Sequence, residues 1–379
     1  MRDWSQCYRR LGESPREPET LEFWHSPAVA DPLWDAFLRS NPCGQFQQSS
    51  LWAEFKAAEG WASHRVVATA PSGIVGGFQI LWKKGRGGRL GYVSKGPVAH
   101  PESAALARRL GALLSGAARE LGLTALIAQP PDETAIGAAA YEEGGYILSN
   151  PMHIIETTYL IDVGAGMDVL RGRMSGSLRR NLGKAGKKGI VAREGTSEDV
   201  PAFFELMAAT CRRQNTAPNP SSAESVALLR RIFSPSNSIR MTFAEGAGGT
   251  PAAKLCINFG DRVTLWKKGW DWSRGELHPN EFLEYEALEW AQGRGYRLCD
   301  FCSLGRPAAL RILEGKPLIP ECLSSRDEYH LRFGGFPKLL PPSMVYIPNL
   351  LLRWGFRNTY ARVERLRSSK SPGPMRAAD

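Results

Sequence analysis

Apolar and polar positions alternate in two regimes along this chain, and the change from one to the other marks its elements. "DPLWDAFLRSNP" reads as a short helix. "SSLWAEFKAAEGW" reads as a second, with Ser49 or Ser50 as N-cap and Leu51, Phe55 and Ala58 on one face of a 3.6-residue repeat. Period-two and β-rich runs follow, "SHRVVATA", "GIVGGFQILWKK" and "RLGYVSKGPV", separated by glycine turns. The Ala/Leu-rich run "PESAALARRLGALLSGAARELG" predicts a long helix, and "LTALIAQPP" a buried strand behind it.

The second half repeats this order. "TSEDVPAFFELMAATCRRQ" is a helix led by Thr196 or Ser197, and "SAESVALLRRIF" is another. The strands "SIRMTFAE", "PAAKLCINFG" and "RVTLWKKGW" come next, then the helix "PNEFLEYEALEWAQGRG" and the strand "YRLCDFCS". Arg65 lies 30 residues before Lys95-Gly96, and Arg240 lies 28 before Lys268-Gly269. The echo is one of element order more than of residues, and it predicts two α/β halves of about 150 residues each.

Composition narrows the class. The chain has 379 residues, 43% hydrophobic and 9% aromatic, enough for sizeable cores. Its 48 basic and 38 acidic residues leave a net charge of +10, which favours anionic partners: nucleic acid, phosphorylated substrates or an anionic membrane. The charged start, "MRDWSQCYRRLGESPREPET", is read as a lead-in over 1–20 and not as a secretory signal. No stretch reaches the length of an apolar membrane span. Seven scattered cysteines suit a reducing cytoplasm. Cys299 and Cys302 form a lone C-x-x-C that reads as two small core residues, and the scattered histidines offer no metal-ligand spacing.

Two basic stretches stand out. "SGSLRRNLGKAGKKGIVARE" carries Arg179, Arg180, Lys184, Lys187, Lys188 and Arg193 before its single acid, Glu194. On a helix, Arg180, Lys184 and Lys187 or Lys188 share a face. Six positive charges without interleaved acids repel one another, so the strip is read as a platform for a polyanion, which the resemblance described next makes tRNA phosphates or a substrate pyrophosphate. The tail, "YIPNLLLRWGFRNTYARVERLRSSKS", mixes Leu351, Leu352, Trp354, Phe356 and Tyr360 with Arg353, Arg357, Arg362, Arg365 and Arg367. It is a basic amphipathic helix suited either to a membrane surface or to packing on a domain. The final "SPGPMRAAD" reads as disordered.

Four stretches together resemble the FemABX family of aminoacyl-tRNA-dependent peptidyltransferases, which attach amino acids to cell-wall precursors. "GQFQQSSLWAEFKAAEGW" is similar to the family's Q-S-x-x-W-x-x-x-K, and "GYVSKGPV" to its Y-x-x-x-G-P-V. The basic strip is similar to R-R-x-x-x-K-A-x-K-x-G-V, and "PNEFLEYEALEWAQGRGYRLCDF" to its helix and D-F/L strand end. The match spans roughly residues 40 to 345. The resemblance implies an α/β (α+β) fold of tandem, GCN5-related (GNAT-like) domains with mixed sheets flanked by helices. It places the first domain at 21–160, completed by 325–348, the second at 161–324, and the basic C-terminal segment at 349–379.

It also implies a reaction. A free amine attacks the ester of an aminoacyl-tRNA, the tRNA hydroxyl leaves, and an amide forms on a peptidoglycan precursor or related peptide. The ester is already activated, so no cofactor is implied. Catalysis then rests on positioning, oxyanion stabilisation and proton movement. Lys56 falls at a family lysine that contacts precursor phosphates, and Lys95 before Gly96-Pro97 is read the same way. Asp300 ends a strand, where carboxylates of α/β sheets face ligand crevices. Lys254, Lys267 and Lys268 flank the same sheet, with Lys267 and Lys268 on opposite faces. The family's F-K-x-x-F is "YHLRFGG" here, so His330 stands in the lysine's place, with Arg332 beside it. His330 is the candidate proton shuttle or donor. An alternative is a CoA-dependent N-acyltransferase of the same fold. "RNLGKAG" looks like a damaged R-x-x-G-x-G/A pyrophosphate loop, which puts acyl-CoA near Gly183 to Gly189.

Overall fold

The computed structural model describes residues 3–14, 21–99, 104–132, 141 and 144–368. The end of the chain read as disordered, 371–379, lies outside them. The chain divides into two units: Met1–Ile154 with Pro341–Ala378, and Ile155–Leu340.

The first unit opens with strands β1 (Arg9–Ser14) and β2 (Leu21–Ser26) and helices α1 (Pro32–Ser40) and α2 (Ser50–Ala58). The Ser49 hydroxyl accepts from the Trp52 N–H, capping α2 as the sequence pattern predicts. A meander of β3 (Ala62–Ala70), β4 (Gly73–Gly85) and β5 (Gly88–Ser94) follows, with the short β6 (Val98–Ala99). Helix α3 (Ala104–Glu120) crosses over to β7 (Ala125–Gln129), which pairs parallel to β5, and β8 is Ile147–Leu148. Phe23, Val66, Phe78, Ile80, Leu110, Leu114 and Leu126 build its core between sheet and helix. The lead-in is therefore not free: β1 pairs antiparallel with β2, Arg9 opposite His25.

The second unit repeats the plan after β9 (Thr157–Asp162), α4 (Met167–Arg173) and α5 (Gly176–Lys187). Strand β10 (Val191–Glu194), helices α6 (Val200–Arg213) and α7 (Ala223–Phe233), and the meander β11 (Ile239–Gly246), β12 (Gly249–Phe259) and β13 (Arg262–Trp270) follow. Helix α8 (Pro279–Gly293) crosses to β14 (Leu298–Asp300), again the one parallel neighbour, with Thr264 opposite Asp300. The short α9 (Arg306–Leu313) and α10 (Ser325–Leu331) precede β15 (Phe336–Leu339) on β9. The sheet order is β10-β11-β12-β13-β14-β9-β15. Residues 325–339 thus stay with the second unit.

The chain returns with β16 (Met344–Tyr346), which inserts between β7 and β8, and ends in α11 (Leu350–Ser368). The first sheet runs β1-β2-β3-β4-β5-β7-β16-β8. Each sheet is thus an antiparallel meander, one parallel strand reached by a crossover helix, and antiparallel strands beyond it. Arg65 on β3 and Arg240 on β11 occupy matching strands, and both are buried. Gly269 is demanded by packing: a Cβ there would meet the Met207 nitrogen of α6 at 2.2 Å.

Candidate functional site

The second unit gathers four of the sequence candidates on the face of its sheet that α8 covers. Lys254 on β12 and Lys268 on β13 are directly opposed in the ladder, so their side chains share that face. Both reach Glu284 of α8. Lys254 Nζ lies 2.5 Å from one carboxylate oxygen and Lys268 Nζ 3.2 Å from the other. Lys254 and Glu284 are 2% exposed, whereas Lys268 is 36% exposed. Burial works against the glutamate's charge, but the two ammonium groups outweigh it and hold the carboxyl below its ordinary value. Burial lowers Lys268, with Glu284 working against the shift.

Helix α10 closes this cluster. Its Ser324–Asp327 capping box fixes the first turn, and His330 and Tyr329 follow in the last. His330 is buried, its Nδ1 3.0 Å from the Ser303 carbonyl oxygen and its ring edge-on to Phe301. A carbonyl accepts only from a protonated nitrogen, so Nδ1 carries the hydrogen and Nε2 keeps its lone pair. Burial, with Lys268 nearby, lowers the imidazole to about 4, so the ring is neutral at pH 7. The Tyr329 ring lies 4.3 Å from Lys268 Nζ. Arg332 donates to Glu281 at 2.9 Å, and Asn181 of α5 donates to the same oxygen at 3.3 Å.

Asp300 and Lys267 lie elsewhere. Thr264 pairs with Asp300 and Ile257 with Thr264, on the pleat positions that alternate with Cys256 and Lys254. Asp300 accepts from the Thr158 hydroxyl and from the Cys302 N–H (2.8 Å), with Arg262 at 3.4 Å. Its carboxylate is thus engaged by neighbouring strands and by the turn that follows β14. Lys267 follows the same alternation, away from Lys268. Cys299 is buried and Cys302 half-buried, and burial pushes both thiols up, opposite to what thiolate chemistry needs. Among the described residues no cluster of three His, Cys, Asp or Glu is placed to hold a metal ion.

In the first unit the two lysines are paired. Lys56 on α2 meets Glu59 at 2.5 Å and remains partly exposed. Lys95, with φ at +58°, turns inward to Asp132 at 2.7 Å. It is 10% exposed, so its ammonium is committed to an internal pair.

The basic strip folds as α5. Ser175 caps it, accepting from the Leu178 N–H, and Leu178 and Ala185 are buried. Arg179, Arg180, Lys184, Lys187 and Lys188 are all exposed. Arg179 donates to the carbonyls of Arg171 and Met174, and Lys188 to that of Glu276 (3.0 Å). Arg180, Lys184 and Lys187 have no acidic partner among the described residues. The reading of "RNLGKAG" as a pyrophosphate loop is corrected here. Gly183 and Gly186 sit inside α5, where backbone N–H groups are spent on the helix and point along its axis.

Sequence reasoning passed over Glu284 because α8 carries four glutamates. The signal was present: Ala287, Leu288 and Ala291, all buried, stand three, four and seven residues beyond it. Lys254 carries a similar flag, a lone charge in the apolar run "PAAKLCINF".

Comparison with known proteins agrees with this architecture. An acetyltransferase (GNAT) domain model matches residues 172–308, within the second unit. The lipid II:glycine glycyltransferase of Staphylococcus saprophyticus is 39% identical over 56 residues, 15% of this chain and 14% of that one. The enzyme of the same name from Staphylococcus aureus is 42% identical over 50 residues, 13% and 12% of the two chains. The matched stretches thus span only about a seventh of these relatives. The crystal structure of FemX superposes with a TM-score of 0.70 at 15% identity, covering 83% of this chain and 94% of that one. The chain thus shares the fold of FemX, and within it the second unit carries the match to the acetyltransferase (GNAT) domain.

Proposed function

We propose that the protein is an N-acyltransferase (EC 2.3 class) that transfers an aminoacyl group from aminoacyl-tRNA to an amine of a peptidoglycan precursor or related peptide. The carrying observation is the FemX architecture over 83% of the chain, joined to local identity with lipid II:glycine glycyltransferases. The reaction is aminolysis of an ester. The neutral amine attacks the ester carbonyl, the oxyanion collapses, and the tRNA hydroxyl leaves with the proton the amine gives up. The ester is activated already, so the reaction takes no cofactor.

The residues divide the work. Lys268, reaching solvent beside Glu284, is our candidate for meeting developing negative charge. His330, neutral with a free Nε2, suits a proton-accepting role, and Arg332 and Glu281 fix the helix that carries it. Asp300 is a positioning group for the strand end that it ties to Thr158. Lys254 acts through Glu284. Lys267, Lys56 and Lys95 remain candidates for substrate contact, Lys95 only if its pair with Asp132 opens. Arg179, Arg180, Lys184, Lys187 and Lys188 form the exposed surface for tRNA phosphates. A lipid-linked acceptor places the work at the cytoplasmic face of a membrane, with peripheral contact through the basic C-terminal helix. No helix among the described residues is long and apolar enough to cross one.

The test is transfer of labelled amino acid from charged tRNA, or of acyl groups from acyl-CoA, to lipid II and to its soluble precursor. Transfer that ribonuclease abolishes supports the reading. Transfer from acyl-CoA alone overturns it in favour of a CoA-dependent acyltransferase.

A further inference from the structure

Helix α11 is seated on the first unit by two side chains. Phe356 packs against Ile127, Val345 and Ile347. Arg353 donates from Nε to the Ile347 carbonyl at 2.6 Å, with its guanidinium 4.6 Å from the Tyr346 ring centre. Asn349 caps the start, its Oδ1 accepting from the Leu352 N–H at 3.0 Å. These anchors fix what the helix turns outward. Leu350 is 72% exposed, Leu351 81%, Leu352 55% and Trp354 71%. At about 100° per residue, Leu350, Leu351 and Trp354 share one arc, turned away from Arg353 and Phe356.

A helix lying flat on a membrane needs an apolar stripe along its length. Here Phe356 is spent on the domain, and the next outward positions are Gly355 and Asn358. The apolar surface is therefore a tip at the helix start. With Arg353 held by the domain, the exposed charge from Leu350 to Thr359 is Arg357 with no acid beside it, which selects an anionic surface over a neutral one.

We propose that the first turn and a half of α11 is a membrane wedge. Leu350, Leu351 and Trp354 enter the interfacial layer of an anionic bilayer, with Leu352 at the rim and Arg357 meeting lipid phosphates. This deepens the reading above and rests on it for the lipid-linked acceptor. Tryptophan and leucine at the headgroup–acyl boundary bind by apolar burial, and arginine adds attraction to anionic lipid.

The experiment is flotation of the full chain with vesicles of phosphatidylcholine alone and mixed with phosphatidylglycerol, at low and high salt. Wild type is compared with Leu351→Ser/Trp354→Ser and with Arg357→Gln. The expected result is binding to the mixed vesicles that survives high salt and falls about a hundredfold in the double variant, from the lost apolar burial of two large side chains. Arg357→Gln is expected to weaken binding about fivefold. Three results overturn the wedge: no binding of wild type, binding that salt strips and the double variant keeps, or a wild-type dimer by light scattering that the double variant makes monomeric. Transfer to a soluble precursor without a lipid tail separates this from the catalytic reading. The double variant keeps that transfer if only the wedge is lost, and unchanged thermal unfolding shows that it folds.

Discussion

Glu284→Gln removes the charge that two lysines share. In the native protein the carboxylate is 2% exposed and 2.5 Å from Lys254, which is equally buried. Removing one partner of such a pair costs about 3–5 kcal/mol, because the other charge stays buried and unpaired. A second route gives a similar limit: neutralising an ordinary lysine amine at pH 7 costs about 5 kcal/mol, so the variant loses no more than that before the amine sheds its proton. Lys268 suffers less, since it can turn to water. The sign with pH follows. In the variant the folded chain holds the amine neutral while the unfolded chain protonates it, so the unfolded state binds the extra proton. The variant therefore recovers stability as pH rises from 7 towards 10, by up to about 1.4 kcal/mol per pH unit. Hydrogen exchange of β12 and β13 amides in the full chain measures the opening free energy where the change is made. Lys254→Met/Glu284→Leu, which removes both buried charges, is expected to regain most of the loss. A Glu284→Gln variant within about 1 kcal/mol of wild type at pH 7, or one indifferent to rising pH, would refute the reasoning.

Three further outcomes are expected. Alanine at Arg180, Lys184 and Lys187 together lowers the salt slope of tRNA binding by about 2–3 and weakens binding at low salt, read by filter binding across a salt series; an unchanged slope removes α5 from the tRNA surface. Gly269→Ala costs about 3 kcal/mol or more in urea unfolding, because its Cβ meets backbone atoms of Leu206 and Met207 at 2.3 and 2.2 Å and neither can step aside. His330→Phe flattens the acid side of the stability curve. The folded imidazole resists protonation down to about pH 4 whereas the unfolded one accepts a proton at about 6.5, so wild type loses stability as pH falls through that window, by up to about 3 kcal/mol, and the variant does not. Parallel acid unfolding curves for the two proteins would show that His330 is not held neutral.

The elements were legible where local rules decide them. The Ser49 cap, the Ala/Leu periodicity of α3 and the β-branched runs of both meanders need only neighbours in sequence. The strand β1 was not legible, since its charged residues are held by pairing with β2 and not by their own propensity. The site was legible only in part. Lys254, Lys268 and His330 come together as candidates, but Asp300 and Lys267 fall on the other sheet face. For Lys267 that is plain pleat alternation, but for Asp300 the separation from Lys268 depends on an irregularity in the β12–β13 ladder between Leu255 and Ile257, which no periodicity reports. Glu284 looked like any helix glutamate until the sheet beneath it supplied two lysines.

The position of β16 has a consequence for synthesis. The strand that fills the gap between β7 and β8 leaves the ribosome only after all of the second unit has emerged. Until then β7 presents a bare edge, and the nascent first sheet is open to mispairing for the time it takes to translate almost two hundred more residues. The second unit, contiguous from Ile155 to Leu340, carries no such debt and can close as it emerges. Released chains truncated just before and just after β16 should therefore differ sharply in protease resistance across the first unit, while the second resists in both.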